Sequence, residues 1–359
     1  MGLFGLFGKK EEKVKLRKGF HQLTVSNVQR LTEDAVKISF DIPLELKNNY
    51  QYKAGQHLDI SLMINGIEEL RSYSICSSRV EPLSIGVKKI ENGKVSAWLN
   101  EEVKIGDQLI ISEPRGHFTL DENASKIVLI AAGSGITPLL AMAKERSGSG
   151  AEAILIYGNR TTSSIMFKSE IDVLKPLRAL FFLSGETKEG YRSGRINREN
   201  FTALIKEELE LLKSDAFYLC GPEGMINDVK HVLEFFGVRS DKIHFELFTA
   251  PVEMEPGATQ SVAEFSGVSK VTAILDGEKV HFELDSKGAT LLEAADRSGM
   301  DAPYSCKGGV CCSCRAKVLK GSAMMKVNYA LTDEEVAQGY ILTCQAHPTS
   351  DELTFSYDD

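Results

Sequence analysis

Four cysteines near the end of the chain leave the backbone around them little freedom: Cys306, Cys311, Cys314 and Cys344. Four residues separate the first two, two separate the next, and 29 more precede the last. Such spacing puts three thiols on one tight loop and brings the fourth from a distant point. That suits a [2Fe–2S] cluster, whose two irons need four thiolates converging from one side. Gly308 and Gly309 let backbone N–H groups turn toward the sulfurs. Cys312 has no place in the count and reads as a small packed residue; a four-cysteine zinc site is the competing reading, but structural zinc usually takes paired short C-x₂-C units. Five of the seven cysteines fall between Cys306 and Cys344, whereas a disulfide framework spreads through a small secreted domain. Clustered thiols in a large chain fit metal in a reducing compartment, the cytoplasm.

A chain of 359 residues exceeds one core of usual size, so several domains are expected. The net charge of −8 argues against nucleic acid as a partner, and no apolar run is long enough to span a bilayer. Segment 1–20 is apolar and glycine-rich up to Gly8, then carries six basic and two acidic residues from Lys9 to Lys18. It reads as a flexible terminus, or as a short foot in weak peripheral contact with a membrane or partner.

From Gln22 to Ser112, six alternating segments broken by turns predict an antiparallel barrel or sandwich. Near Lys126 the texture changes. Apolar strands KIVLIAAG, AILIYG, RALFFLSG, AFYLC and IHFELF alternate with helical stretches, one of them long, at Asn200 to Leu212. This predicts a parallel sheet covered on both faces. Pro251 to Thr259 reads as linker, and beyond it a hairpin turns at Asp276-Gly277. Residues 266–359 hold 14 acidic and 9 basic side chains, a net −5 and more than half of the chain's negative charge.

Four further motifs carry chemistry. Arg71-Ser72-Tyr73-Ser74 offers a guanidinium fork for a pyrophosphate and a tyrosine able to lie on a conjugated ring. Strand alternation puts Arg71 and Tyr73 on one face and Ser72 on the other. Gly93-Lys-Val95-Ser96 reads as a glycine turn into a helix N-terminus, a nest for phosphate. Gly133-Ser-Gly135-Ile-Thr137-Pro138 follows a strand and opens a helix, as a phosphate-binding loop must, with proline tolerated in the first turn. Cys220-Gly221-Pro222-Glu-Gly-Met225 repeats that strand-to-helix setting; a buried strand-end thiol is the plainer reading of Cys220. At the strand ends Arg160 and Arg195 stand where an NAD-selective site often has an acid, which favours the 2′-phosphate of NADPH, with NADH the alternative donor.

The series R-x-Y-S, G-x-x-S and P-x-G-x-F (Pro114 to Phe118), followed by G-x-G-x-x-P and C-G-P-x-x-M, resembles the ferredoxin–NADP⁺ reductase superfamily. Residues 266–359 resemble the plant-type ferredoxin domain. The resemblance implies three domains: a six-stranded antiparallel β-barrel at 21–122 for FAD, an α/β parallel-sheet NAD(P) domain at 123–250, and, after a linker at 251–265, a β-grasp plant-type ferredoxin domain at 266–359. It implies that Arg71 neutralises the FAD pyrophosphate, Tyr73 stacks on the isoalloxazine and Ser74 adjoins its N5. Ser72, Val95 and Ser96 would complete that site. Gly133, Gly135, Thr137, Pro138, Gly221, Pro222 and Met225 would hold the nucleotide, with Cys220 beside the nicotinamide. In His244-Phe-Glu246-Leu-Phe248 the resemblance implies an aromatic and an acid near the flavin face, so Phe248 would reach that face or pack in the core.

The domain order also resembles the reductase components of bacterial phenylacetyl-CoA 1,2-epoxidases, on HQLTV, QHLDI, ELRSYSIC, AAGSGITP, IYGNRTTSSIMF, YSCKGGVCCSC and MKVNYALTDEEVAQGYILTCQA. That implies electrons passing from NADPH to FAD, then singly through the cluster to a di-iron oxygenase, from a monomer in transient complex. Another oxygenase, hydroxylase or fatty-acid desaturase is the alternative acceptor. A redox-sensing module without turnover is the non-enzymatic alternative.

Overall fold

The computed structural model describes residues 16–248 and 265–359. Most of segment 1–20 and nearly all of the expected linker fall outside them.

Alternating apolar positions give the first domain its strands: β1 (Phe20–Thr32), β2 (Ala35–Asp41), β3 (His57–Ile64), β4 (Ile67–Ser74), β5 (Ser84–Lys88) and β6 (Gln108–Ser112). They pair antiparallel in the order β4-β3-β6-β1-β2-β5. An antiparallel bridge from Ile75 to Ile85 joins the two ends, closing the expected barrel around Leu23, Ile38, Leu58, Ile60 and Ile85. Helix α1 (Lys94–Glu101) starts behind Gly93.

The second domain is all parallel: β7 (Lys126–Ala132), β8 (Glu152–Asn159), β9 (Leu177–Leu183), β10 (Arg192–Ser193), β11 (Ala216–Cys220) and β12 (Ile243–Glu246), ordered β10-β9-β8-β7-β11-β12. Helices α2 (Ile136–Ser149), α3 (Lys168–Val173), α4 (Arg198–Glu207) and α5 (Glu223–Phe235) cover it, and two apolar clusters fill its faces. The long helix expected at Asn200 to Leu212 is two pieces. Asn197 caps α4 by accepting from the Asn200 N–H, Glu208 leaves helical geometry, and a 3₁₀ turn at Leu209–Lys213 buries Leu211 before β11. Phe248 lies beyond the last strand, which stops at Glu246.

The third domain begins with the predicted hairpin, β13 (Val268–Leu275) and β14 (Glu278–Asp285), turning through Asp276 and Gly277, both at positive φ. Helix α6 (Leu291–Arg297) is held by a capping box between Thr290 and Glu293. After the cysteine loop come β15 (Arg315–Lys320), β16 (Ala323–Met325), α7 (Asp333–Ala337), β17 (Tyr340–Leu342), β18 (Ala346–Pro348) and β19 (Glu352–Ser356). The main sheet, β14-β13-β19-β15-β17, has β13 and β19 parallel at its centre and its other pairs antiparallel, with Leu291, Leu292 and Ala295 of α6 in the core: a β-grasp arrangement. Arg17, just before β1, bridges Glu68 of the barrel at 2.8 Å and Asp301 of the third domain at 2.9 Å.

Candidate electron-transfer site

One cavity of about 750 Å³ lies where the three domains meet. Its walls include Arg71 to Ser74 from β4, Ser134 from the loop after β7, Thr137 from the first turn of α2, Leu247 and Phe248 after β12, and Cys306 and Cys311 of the cysteine loop. Three motif groups widely separated in sequence are thus brought to one space.

Tyr73 presents an aromatic ring and Ser74 is buried. The Arg71 guanidinium pairs with Glu69 at 2.9 Å, and Lys94 reaches the other oxygen of Glu69 at 3.0 Å. Two cations against one acid leave a positive surplus beside the first turn of α1. The Ser96 hydroxyl is already engaged, accepting from Ile90 N–H and donating to Gly93 O. What Val95 and Ser96 offer a phosphate is therefore their unpaired backbone N–H groups. Ser72, in the same wall, donates its hydroxyl to Asp59. His57, fully enclosed, keeps Nε2 without a partner, and Gly116 at positive φ leaves room for its ring. Burial pushes the His57 pKa down, so the ring stays neutral. An orphaned nitrogen, a flat aromatic wall and a cationic end fit a flavin dinucleotide.

On the nucleotide side, Gly133 adopts positive φ and its carbonyl accepts from Tyr157 OH at 2.9 Å. Gly135 passes so close to β11 that a Cβ there would sit 2.1 Å from Cys220 O. Thr137 is fixed by donating to Ser134 O at 3.0 Å, with Pro138 in the first turn of α2. Gly221 packs on Met225 and Ala132 just ahead of α5. Cys220 is completely buried, and burial next to Glu246 pushes its thiol well up. Its backbone carbonyl backs Gly135. Arg160 and Arg195 are exposed past β8 and β10, and among the described residues neither guanidinium has an ion-pair partner. Phe248 is 40 % exposed at the cavity, so it is no core residue.

Glu246 belongs to none of the sequence motifs. It is Cys220's register partner across β11 and β12, and its Oε2 lies 3.4 Å from Ser74 Oγ. Burial raises its pKa to about 8, leaving it mostly protonated at neutral pH. Alternation in IHFELF marked a strand, and the resemblance implied an aromatic and an acid near the flavin face in this segment.

The four cysteines divide into two pairs. Cys306 and Cys311 lie with Sγ atoms 3.2 Å apart, and Cys314 adjoins Cys344. Cys306 is drawn down to about 6, chiefly by the Cys311 thiol and further by the N–H groups of Gly308, Val310 and Cys311. Cys344 is lowered by Cys314 and by the Gly309 N–H. Two thiol pairs with inward N–H groups fit a two-iron cluster. Cys312 stands apart, its thiol near Ala330 O at 3.6 Å and pushed up to about 12 by burial.

Three family models match in succession: an oxidoreductase FAD-binding domain over 22–120, an oxidoreductase NAD-binding domain over 129–231, and a 2Fe-2S iron-sulfur cluster binding domain over 273–349. The chain is 37 % identical over 351 residues to one of the subunits of 1,2-phenylacetyl-CoA epoxidase from Escherichia coli K12, covering 94 % of this chain and 98 % of that one. The chain belongs to the three-domain FAD and [2Fe–2S] reductase family. A second relative is the ferredoxin reductase component of 3-ketosteroid-9-alpha-monooxygenase from Rhodococcus rhodochrous, 31 % identical, covering 93 % and 96 %. Among solved structures, phthalate dioxygenase reductase shares the fold, with TM-score 0.59 and 24 % identity over 94 % and 98 % of the two chains. Like its relatives, this member of the family is an NAD(P)H-dependent electron-transfer oxidoreductase using FAD and a [2Fe–2S] cluster. Among the described residues no helix is long and apolar enough to cross a membrane.

Proposed function

We propose that this reductase draws electrons from NADPH and delivers them to the di-iron oxygenase of a phenylacetyl-CoA epoxidase system in the cytoplasm. The observation that carries electron relay is the shared cavity, whose wall joins Tyr73 and Ser74 to Cys306 and Cys311. The acceptor rests on near end-to-end similarity to the relative from the epoxidase. When bound, FAD would accept a hydride, two electrons at once, and the cluster would pass electrons singly.

The chain's own residues bind, orient and shield. Tyr73 supplies the stacking face, Arg71 and the first turn of α1 hold the pyrophosphate, and Ser74 with protonated Glu246 supplies polar contact where hydride arrives. Gly133, Gly135, Thr137, Pro138, Gly221, Pro222 and Met225 shape the nucleotide path. Arg160 and Arg195 receive the 2′-phosphate. Cys220 backs the nicotinamide from behind Gly135. Cys306 with Cys311, and Cys314 with Cys344, would hold the cluster's irons.

The test is anaerobic reduction by NADPH followed by coupled turnover with a phenylacetyl-CoA oxygenase. Epoxide formed in proportion to NADPH consumed is the expected result. Reduction of cytochrome c without coupled turnover would exclude the epoxidase acceptor while leaving the relay intact.

A further inference from the structure

Asp59 is a completely buried carboxylate on β3 that no cofactor motif contains. Its Oδ1 accepts from Ser72 Oγ, and its Oδ2 accepts from Ser313 Oγ at 3.0 Å. Ser313 sits between ligand positions Cys311 and Cys314 and is only 3 % exposed. A second contact runs alongside, with Ser72 N–H donating to Ser305 Oγ at 3.2 Å and the two hydroxyls 3.1 Å apart. Ser305 immediately precedes Cys306. The barrel end is held in place, because Asp59 N–H donates to Ser112 Oγ at 2.8 Å and the Arg115 guanidinium lies 3.7 Å from Oδ2.

We propose that Asp59 is a positioning residue that sets the register of the cluster loop against the flavin-binding strands. A buried carboxylate needs donors around it. Ser72 and Arg115 supply them from the barrel, and Ser313 supplies one from the ferredoxin domain. Hydrogen bonds are directional, so this set fixes where Cys306 and Cys311 stand relative to Tyr73 in a way that apolar packing does not. The same groups can exchange their partners for water, so breaking this contact exposes hydroxyls and an acid. The contact gives alignment and stays reversible. This inference rests on flavin occupying the cavity beside Arg71 to Ser74, as in the proposed function.

The test uses the full, cofactor-loaded chain as wild type, Ser313→Ala, Asp59→Asn and the double variant. Hydrogen–deuterium exchange is followed at residues 305–314, and stopped-flow mixing with NADPH resolves flavin reduction from cluster reduction. Flavin reduction is expected to stay within about twofold of wild type. Cluster reduction slows about tenfold in each single variant, with faster exchange at 305–314. The double variant is no slower than the slower single one, since both changes remove one contact. Unchanged exchange and cluster reduction in the singles, or fully multiplicative effects in the double, would overturn the proposal. Slowing with unchanged exchange but a shifted cluster midpoint potential overturns it too, since Asp59 would then act through its field. Should Asp59→Asn not fold, Ser313→Ala decides from the other side of the contact. Loss of flavin reduction itself counts against the flavin reading, and the exchange at 305–314 still decides the docking.

Discussion

Ser74 Oγ and Glu246 Oε2 meet 3.4 Å apart across the junction of the barrel and the parallel sheet. One comes from the flavin motif, the other from the final strand of the next domain. Because burial raises Glu246 to about 8, the native state holds a proton that the unfolded chain has released above the ordinary carboxylate range. The native state thus binds more protons between those limits, and Glu246 costs stability as pH rises from about 4.5 to about 8, then levels off. Glu246→Gln mimics the protonated form and should remove that dependence. Melting temperatures from pH 5 to 9 should show the variant gaining on wild type up to about 8; a pH-independent difference would refute it.

Cys311→Ser should stop delivery to cytochrome c while NADPH still bleaches the flavin, since Cys311 lies in the loop between α6 and β15 and the flavin motif on β4 of the barrel. Cytochrome c and ferricyanide assays side by side check it. Loss of both activities would mean that the cluster is needed to fold the upstream domains.

Arg160→Ala and Arg195→Ala should each raise KM for NADPH about tenfold, equivalent to ~1.4 kcal/mol, with KM for NADH nearly unchanged. Steady-state kinetics with both donors decide it. Equal effects on the two would remove the 2′-phosphate role.

Gly135→Ala should weaken nucleotide binding and cost roughly 1–3 kcal/mol of stability, because the new Cβ meets Cys220 O and one of the two loops must shift. Thermal denaturation and NADPH titration measure the two effects.

Cys312→Ser should leave iron content and the cluster's electron paramagnetic resonance signal as in wild type. Its thiol is raised by burial and contacts a carbonyl rather than the ligand pairs. A changed signal would make it a ligand.

The barrel strands, the parallel sheet and the cluster ligands were legible because each is written in local periodicity or spacing. QHLDI and LRSYS alternate, AILIYG is continuously apolar, and Cys306 to Cys314 is one loop. Less was visible wherever a residue's role depends on another domain. Alternation placed Ser72 opposite Arg71 but could not show its hydroxyl on Asp59 and Ser305. The C-G-P motif drew attention to Cys220, while the packing of β11 buries its side chain completely. The break after Glu207 had no proline or glycine to announce it; the chain turns there to bury Leu211.

By itself the sequence determined which groups the chain can bind: thiol spacing, glycine loops and the Arg71 motif are local chemistry, read within a few residues. Tertiary structure alone decided how those sites face one another. Glu246 takes its raised pKa from burial, and Asp59 meets Ser313 across 254 residues of chain. Burial and long-range hydrogen bonding arise only when separate domains pack, so no local pattern encodes them.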